Sequence, residues 1–281
     1  MFVIDYYVDH ILDENASTEQ LFNIAGKRIV SSALKGINGT IFAYGQTSSG
    51  KTYSMIGNNE EPGIVTLVVR EIFKEIEASE DREFLLRIGY VEIYNEKIFD
   101  LLDRDKDDLK IHENQYGEIN IQQREVIAKS ENEILGHFDL GNKNKRMGET
   151  GMNEQSSRSH TIFRITIESR EQGKTSTDSS VQISNLNLVD LAGSERASQT
   201  KATGNRAKEG AFINKSLLFL SLVIQKLSEA SESASNEKAY INFRDSKLTR
   251  ILQASLGGNA LTSIICTITP AVLDETYYTL T

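Results

Sequence analysis

Residues 39–52 read G-T-I-F-A-Y-G-Q-T-S-S-G-K-T, and this stretch decides the fold class of the chain. Residues 40–44 form a short apolar run that predicts a buried strand. Residues 45–52 fit the pattern G-x-x-x-x-G-K-[ST], whose glycines allow positive φ and let backbone N–H groups wrap a phosphate. The alternative is a Gly- and Ser-rich loop with a chance lysine. The strand before the loop and the helix-compatible run after it favour a phosphate loop, because a helix turns its positive end toward the same anion.

The side chains of this loop suit a nucleoside triphosphate and its metal ion. Lys51 can reach the β- and γ-phosphates, and the hydroxyl of Thr52 can bind Mg²⁺. The predicted nucleotide-binding residues of the stretch are Gly45, Gln46, Thr47, Ser48, Ser49, Gly50, Lys51 and Thr52.

Composition narrows the class of protein. The chain has 281 residues, 39% hydrophobic and 25% charged, which is typical of one large soluble domain or two small ones. A net charge of −9 argues against a general nucleic-acid binder. No apolar run approaches the ~20 residues of a membrane span, and residues 1–5 lack the basic start of a signal peptide. The single cysteine, Cys266, favours a reducing, cytoplasmic compartment, and its apolar neighbours lead us to expect it in the core.

Strand and helix patterns alternate along the chain. Strand patterns span residues 2–7, 84–94, 160–169, 181–191 and 261–269, with two short strands in 110–127. Helical patterns span residues 17–35, 64–78, 130–142, 211–227 and 245–256. Strict alternation predicts that strand 160–169 is half-buried, and Ser17 with Gln20 predicts a capping box. We therefore predict an α/β fold of the P-loop NTPase type, with a twisted, mostly parallel or mixed sheet, helices on both faces, and the phosphate loop at the carboxyl edge.

Two later segments fit a nucleotide switch. Residues 153–160, N-E-Q-S-S-R-S-H, offer small hydroxyls that can complete a Mg²⁺ shell and one arginine with fixed donors, just before a strand. Residues 190–196, D-L-A-G-S-E-R, follow a strand, and an aspartate there suits outer-shell Mg²⁺ binding. Taken singly, the first reads equally well as a polar turn and the second as an ordinary strand exit. Three such segments, each at a strand end, favour one common site.

These three segments resemble the phosphate loop, switch I (N-x-x-S-S-R-S-H) and switch II (D-L-A-G-S-E) of the kinesin motor domain. Residues 94–96 (Y-N-E), 213–217 (I-N-K-S-L) and 243–253 (F-R-D-S-K-L-T-R-I-L-Q) match as well, and the likeness covers nearly the whole chain. Within the family, residues 81–87, 148–150, 167–171 and 264–270 look most similar to kinetochore kinesins of the centromere protein E type.

The resemblance implies binding of ATP or ADP with Mg²⁺. By that likeness, Thr52 and Ser157 hold the metal ion and Asp190 supports its outer shell. Tyr53 stacks on the adenine. Two further nucleotide-binding residues are implied, Asn153 and Ser156.

The resemblance also implies how hydrolysis would proceed. Gly193 senses the γ-phosphate, and an ion pair between Arg158 and Glu195 closes the cleft and places the attacking water. Asn214 ties closure to the long helix. His160 ends the switch I motif, and we expect it to be a structural residue at the start of a strand.

A face that binds microtubules is the third implication. Residues 201–250 hold nine basic and five acidic residues, a net +4 in a chain of net −9. Because the tubulin surface is acidic, such a basic face would orient the encounter. An ordinary solvated helix face is the alternative. The residues expected to contact the microtubule are Lys208, Lys215, Arg244, Lys247 and Arg250.

The resemblance leads us to expect one motor domain over residues 1–281 that is incomplete at both ends. Kinesins begin with a central strand ending in an R-x-R-P-like segment and continue into a neck linker, and neither matches here. Asn242 stands where many kinesins have proline.

Two hypotheses follow. The first is an ATP-driven microtubule motor for chromosome movement in mitosis, located on the cytoskeleton at kinetochore or spindle, and homodimeric through a stalk, with no nucleic-acid or membrane partner. The second is a nucleotide-impaired microtubule-binding or regulatory module. A phosphate-loop GTPase is less favoured, because no N-K-x-D-type guanine motif is evident.

Overall fold

A computed structural model of the chain describes residues 7–106, 108–115, 119–148, 155–173, 180–195, 205–232, 241–269 and 273–280. Most of the predicted strand 2–7 lies outside these residues. The helices are α1 (Thr18–Ala25), α2 (Lys27–Leu34), α3 (Lys51–Ile56), α4 (Ile64–Glu77), α5 (Glu131–Gly148), α6 (Asn205–Glu232), α7 (Lys247–Ile251), α8 (Gln253–Gly257) and α9 (Leu273–Leu280), with a short 3-10 helix at Gln155–Arg158. The strands are β1 (Asn38–Gly45), β2 (Arg82–Tyr94), β3 (Lys97–Asp100), β4 (Ile111–Glu113), β5 (Ile119–Ile121), β6 (Val126–Ala128), β7 (His160–Glu171), β8 (Gln182–Asp190) and β9 (Ala260–Thr267).

A mixed sheet forms the centre of the molecule. Within the described residues its strand order is β3-β2-β7-β8-β1-β9, with β6 also paired to β2, while β4 and β5 form a separate hairpin. Strand β1 runs parallel to both β8 and β9, and β2, β7 and β8 are antiparallel to one another in turn. Ala43 pairs with Asp190, so the ends of β1 and β8 meet at one edge. The predicted α/β fold and the position of the phosphate loop are confirmed.

Helices cover both faces of the sheet. Side chains from α1, α2, α4 and α5 pack with Ile41, Phe163 and Ile165 in one core cluster. Side chains from α6, α7 and the β4–β5 hairpin pack with Phe42 and Ile162 in the other. Strand β7 is therefore buried on both faces, and the prediction of a half-buried strand was wrong because polar alternation does not exclude a second covering layer.

Two predicted helices are each interrupted. The capping box is present, since Gln20 N–H donates to Ser17 Oγ and Ser17 N–H to Gln20 Oε1. Gly26 then ends α1 and begins α2, and a Cβ at this glycine would lie 2.6 Å from the ring of Phe22. Likewise Leu252 separates α7 from α8 within the helix predicted over 245–256. Apolar periodicity continues across both breaks, so it could not locate them.

The β2–β3 hairpin carries an unusual turn. Asn95 and Glu96 have positive φ angles of 53° and 57°, as a two-residue hairpin loop of the primed type requires, but neither is glycine. The Glu96 carboxylate accepts hydrogen bonds from the Lys247 backbone N–H at 3.0 Å and from Ser246 Oγ at 3.2 Å. It thereby holds the N-terminus of α7 against the end of the hairpin.

Strand β9 lies at an edge of the sheet in the described part of the chain. Cys266 on this strand is exposed, so the expectation that it belongs to the core was wrong. None of the helices described is both long and apolar enough to cross a membrane.

Candidate nucleotide-binding site

The phosphate loop connects β1 to α3 at the carboxyl edge of the sheet. Gly45 and Gly50 have φ angles of 153° and 108°, which favour glycine. A Cβ at Gly45 would lie 2.2 Å from the carbonyl oxygen of Thr267, so this position also requires the missing side chain for space. Ser49 Oγ lies 2.6 Å from Thr267 Oγ1, which attaches the loop to β9. Backbone geometry and the contact with β9 thus shape the loop.

Lys51 spans the loop from its helical end. Its side chain is buried and its Nζ donates a hydrogen bond to the carbonyl oxygen of Gln46 at 2.7 Å. Burial lowers the pKa of Lys51, while the charges of Asp190 and Glu195 oppose that shift. A buried ammonium surrounded by two carboxylates is well placed to neutralise an entering phosphate.

Thr52 and Asp190 are in direct contact. Thr52 Oγ1 donates to Asp190 Oδ2 at 2.8 Å, and Asp190 is 8% exposed. Among the described residues, none donates a hydrogen bond to the other carboxylate oxygen, Oδ1, which is buried. Burial raises the pKa of Asp190, and Lys145, Thr52 and Lys51 oppose the rise. A hydroxyl beside a carboxylate with a spare oxygen fits a hydrated Mg²⁺, whose preferred ligands are oxygens.

The two switch segments contact the loop and each other. Gly193 N–H donates to the carbonyl oxygen of Ser157 at 2.9 Å, and Ser194 N–H donates to that of Gly45 at 3.0 Å. A Cβ at Gly193 would lie within 2.5 Å of the side-chain oxygens of Thr47 and Glu195, so a larger residue there would displace their contact. The structure thus brings Lys51, Ser157 and Gly193 to one rim of the sheet.

Glu195 bonds directly to the phosphate loop. Its Oε2 accepts the Thr47 backbone N–H at 2.8 Å, and its Oε1 accepts the Thr47 hydroxyl. The carboxylate thereby accepts a hydrogen bond from a backbone N–H that is expected to bind phosphate. This contact was not foreseen from sequence, and the ion pair between Arg158 and Glu195 stays a prediction.

Tyr53 lies at the surface beside the loop. Its side chain is 45% exposed, and its hydroxyl donates to Glu61 Oε2 at 2.5 Å. Glu61 also accepts the backbone N–H of Thr18, which opens α1. Adenine stacking by Tyr53 stays a prediction. The contact between Tyr53 and Glu61 was not predicted from the sequence.

A cavity of about 180 Å³ lies behind α3. Thr52 and Asp190 line it on one side, and Lys145 and Asn142 of α5 on another. Lys145 was not identified from sequence, because a single lysine in a polar helix carries no motif. Its charge lowers the pKa of Asp190, so α5 contributes to the electrostatics of the site.

His160 joins parts of the site that sequence reasoning treated separately. It is 2% exposed, its Nδ1 accepts the Ala192 backbone N–H at 3.0 Å, and its Nε2 lies 2.7 Å from Ser216 Oγ on α6. Burial, with smaller contributions from Lys145 and Lys51, lowers the pKa of His160 to about 3. The expectation of a structural strand-start residue is compatible with this neutral, buried ring.

The predicted microtubule-binding residues fall on α6 and around α7. Arg244 is exposed and pairs with Glu113 at 2.9 Å, and Arg250 lies 3.9 Å from the same carboxylate. Lys215 is exposed on α6, with its Nζ 5.8 Å from the ring centre of Phe219. Asn153 lies outside the described residues, as do the side chains of Ser156, Lys208 and Asn214.

Comparison with known proteins gives the family. A sequence profile of the kinesin motor domain matches residues 3–281. Kinesin-like protein KIN-7N of Arabidopsis thaliana is 50% identical over 263 residues, which are 93% of this chain and 31% of that protein. Human centromere-associated protein E is also 50% identical, over 95% of this chain and 10% of its own length.

A solved structure, titled "Structure of a fast kinesin: Implications for ATPase mechanism and interactions with microtubules", shares 36% identity with a TM-score of 0.84. It aligns with 97% of this chain and 78% of its own. The chain spans about a third of the length of the Arabidopsis relative and about a tenth of the human one. On the profile match, the identities and the shared fold, the chain belongs to the kinesin motor-domain family.

Proposed function

We propose that this chain hydrolyses ATP and couples hydrolysis to movement along microtubules. The observation that carries the proposal is the meeting of Lys51, Ser157 and Gly193, from three separate segments, beside the Thr52–Asp190 pair. The solved relative, whose title speaks of an ATPase mechanism and of interactions with microtubules, supports the same assignment.

The phosphate loop is proposed to bind the triphosphate through its backbone N–H groups and Lys51. Thr52 and Ser157 would hold Mg²⁺, with Asp190 accepting hydrogen bonds from its water ligands. When bound, the metal ion supplies charge neutralisation at the β- and γ-phosphates. The buried Oδ1 of Asp190 supports this arrangement, because no donor in the described part of the chain bonds to it.

Closure of the site is proposed to exchange one set of hydrogen bonds for another. Thr47 would release the Glu195 carboxylate and donate to a phosphate oxygen instead. Glu195 would then pair with Arg158 and orient the attacking water, while Gly193 N–H would leave the Ser157 carbonyl for the γ-phosphate. Since phosphoryl transfer depends mainly on positioning and charge stabilisation, these groups are chemically sufficient.

The basic groups on α6 and around α7 are proposed to couple the nucleotide site to the microtubule. Arg244 and Lys215 are exposed, and their charges lie on an otherwise acidic chain. An acidic polymer surface would attract this side and repel the rest, so encounter is oriented and salt-dependent.

For the cellular role, we propose a mitotic motor of the kinetochore and spindle, assembled as a homodimer through a stalk. Human centromere-associated protein E, at 50% identity, supports this role, although plant kinesins of the KIN-7 type are equally similar. Imaging the tagged full-length protein in dividing cells tests it, and exclusive location on interphase microtubules would contradict it.

The decisive experiment is a steady-state ATPase assay with and without microtubules. We expect a basal rate that rises at least tenfold with saturating microtubules, and directed gliding of microtubules on surface-bound protein. A variant with Lys51→Ala is the matched control, because it removes the buried ammonium from the loop. ATP turnover equal to that control would contradict the proposal.

A further inference from the structure

His160 lies where three functional segments meet. It begins β7 directly after the Gln155–Arg158 turn, and its ring reaches both the 190–195 segment and α6. His160 and Ser216 are each 2% exposed, so water does not compete for either bond. Nothing in the proposed reaction uses this ring.

The donors around the ring define its tautomer. The Ala192 backbone nitrogen can only donate, so Nδ1 of His160 carries no hydrogen and acts as the acceptor. Nε2 therefore carries the ring hydrogen and donates it to Ser216 Oγ at 2.7 Å. The rigid, neutral ring thus links Ala192 to Ser216 through one hydrogen bond on each side. Both bonds cannot persist if these two residues move apart.

Each end of the bridge adjoins a residue with a proposed role. Ala192 precedes Gly193, whose N–H bonds to Ser157 and is expected to sense the γ-phosphate. Ser216 follows Lys215, an exposed residue of the proposed microtubule face. If nucleotide displaces the 190–195 segment, the ring of His160 would therefore transmit this displacement directly to α6.

We propose that His160 is a positioning residue that couples the 190–195 segment to α6, so that nucleotide-site closure and microtubule binding influence each other through its ring. The inference rests on the proposed function, since it concerns communication between the two proposed sites. A ring that only fills space would contribute to stability but not to this communication.

The test compares Ser216→Ala, His160→Asn and the double variant in the full chain, with Ser221→Ala, an exposed serine on the same helix, as the control. Asparagine keeps an oxygen near the position of Nδ1 but withdraws from Ser216. The readout is the ratio of the microtubule-stimulated to the basal ATPase rate. A smaller folded fraction lowers both rates equally, so a structural role alone leaves the ratio unchanged.

We expect the ratio to fall by about five- to tenfold in each single variant, the scale of one lost hydrogen bond between buried groups. The double variant should fall no further, because both changes break the same bridge. His160→Ala should also lower the basal rate, since Ala192 N–H loses its acceptor; if it does not fold, Ser216→Ala still decides the question. A ratio equal to that of the control in Ser216→Ala and His160→Asn, or additive losses in the double variant, would overturn the inference while leaving the proposed function intact. A wild-type chain without microtubule stimulation would overturn both.

Discussion

The Glu195 carboxylate accepts the backbone N–H of Thr47 at 2.8 Å, although the two residues are 148 positions apart in the chain. An acidic side chain thus sits on a loop built to bind anions. The proposed exchange of Glu195 for a phosphate oxygen at Thr47 makes Glu195 the residue whose replacement is most informative.

Replacing Glu195 by alanine should separate binding from hydrolysis. Removing one partner of a buried ion pair typically costs about 3–5 kcal/mol, so hydrolysis should fall by about two to four orders of magnitude if closure depends on this residue. ATP affinity should stay at least as high as in the wild type, because Thr47 N–H is freed. Single-turnover kinetics and fluorescent-nucleotide titration measure the two quantities, with Glu125→Ala as a control remote from the loop. Unchanged turnover would remove Glu195 from the mechanism.

Replacing Thr52 by alanine should raise the Mg²⁺ concentration needed for activity. The hydroxyl donates to Asp190 at 2.8 Å and is the proposed metal ligand, so its loss removes one ligand and disturbs the carboxylate. We expect half-saturation by Mg²⁺ to rise about tenfold or more, the scale of losses seen when groups around a metal are removed. Ser54→Ala, on the same helix, is the control. Identical Mg²⁺ titrations for the two variants would argue against Thr52 as a ligand.

Tyr53 should contribute to ATP affinity through its ring and not its hydroxyl. Stacking of a base on an aromatic side chain is worth about 1–3 kcal/mol, so Tyr53→Ala should lower ATP affinity by about tenfold. Tyr53→Phe keeps the ring and loses only the bond to Glu61, so it should change affinity much less. Titration of each variant with a fluorescent ATP analogue measures the affinity. Equal losses in the two variants would assign the role to the hydroxyl and its contact with Glu61.

Replacing Arg244 or Lys247 by alanine should weaken microtubule binding. Each removes one cation from the proposed face, and we expect a two- to tenfold loss, about the range for partly exposed charges at interfaces. The loss should shrink as ionic strength rises, because salt screens exposed charges. Co-sedimentation at several salt concentrations measures this, with Lys27→Ala on α2 as a control for total charge. Wild-type binding that is insensitive to salt would contradict the electrostatic assignment.

His160 should make the folded state lose stability in mild acid. The ring has a pKa of about 3 when folded against 6.5 as its ordinary value, so between these values the unfolded chain binds the extra proton. Stability is therefore lost as the pH falls below 6.5, by about 1 kcal/mol between pH 6.5 and 5.5 for this group alone. Denaturant unfolding of wild type and His160→Asn at both pH values isolates the contribution of the ring. An equal change in the two proteins would contradict the buried, neutral histidine.

The parts of the site that could be predicted from sequence are those encoded in consecutive residues. The phosphate loop needs its glycines and lysine in one short run, and Asp190 could be identified because it lies at the end of a predicted strand. The contacts Thr47–Glu195 and His160–Ser216 join residues 148 and 56 positions apart, and no local pattern specifies such partners. They depend on which strands become neighbours.

The fold shows the same division. Mixed α/β architecture follows from the alternation of apolar patterns, but the break at Gly26 does not, because apolar spacing continues through it. The close approach of the Phe22 ring to Gly26, which leaves no room for a Cβ, is a packing contact that the spacing does not report either. The two-sided burial of β7 likewise depends on α6 and α7, which come much later in the chain.

The turn at Asn95 and Glu96 holds two non-glycine residues in the left-handed conformation, and Glu96 there positions the start of α7. Glycine at position 95 would ease its left-handed backbone, whereas glycine at 96 would ease it equally but remove the carboxylate that accepts the N–H of Lys247 at the start of α7. Two adjacent positions with the same conformational preference thus have opposite tolerances. Relaxing the hairpin and holding the start of α7 are therefore competing demands at Glu96.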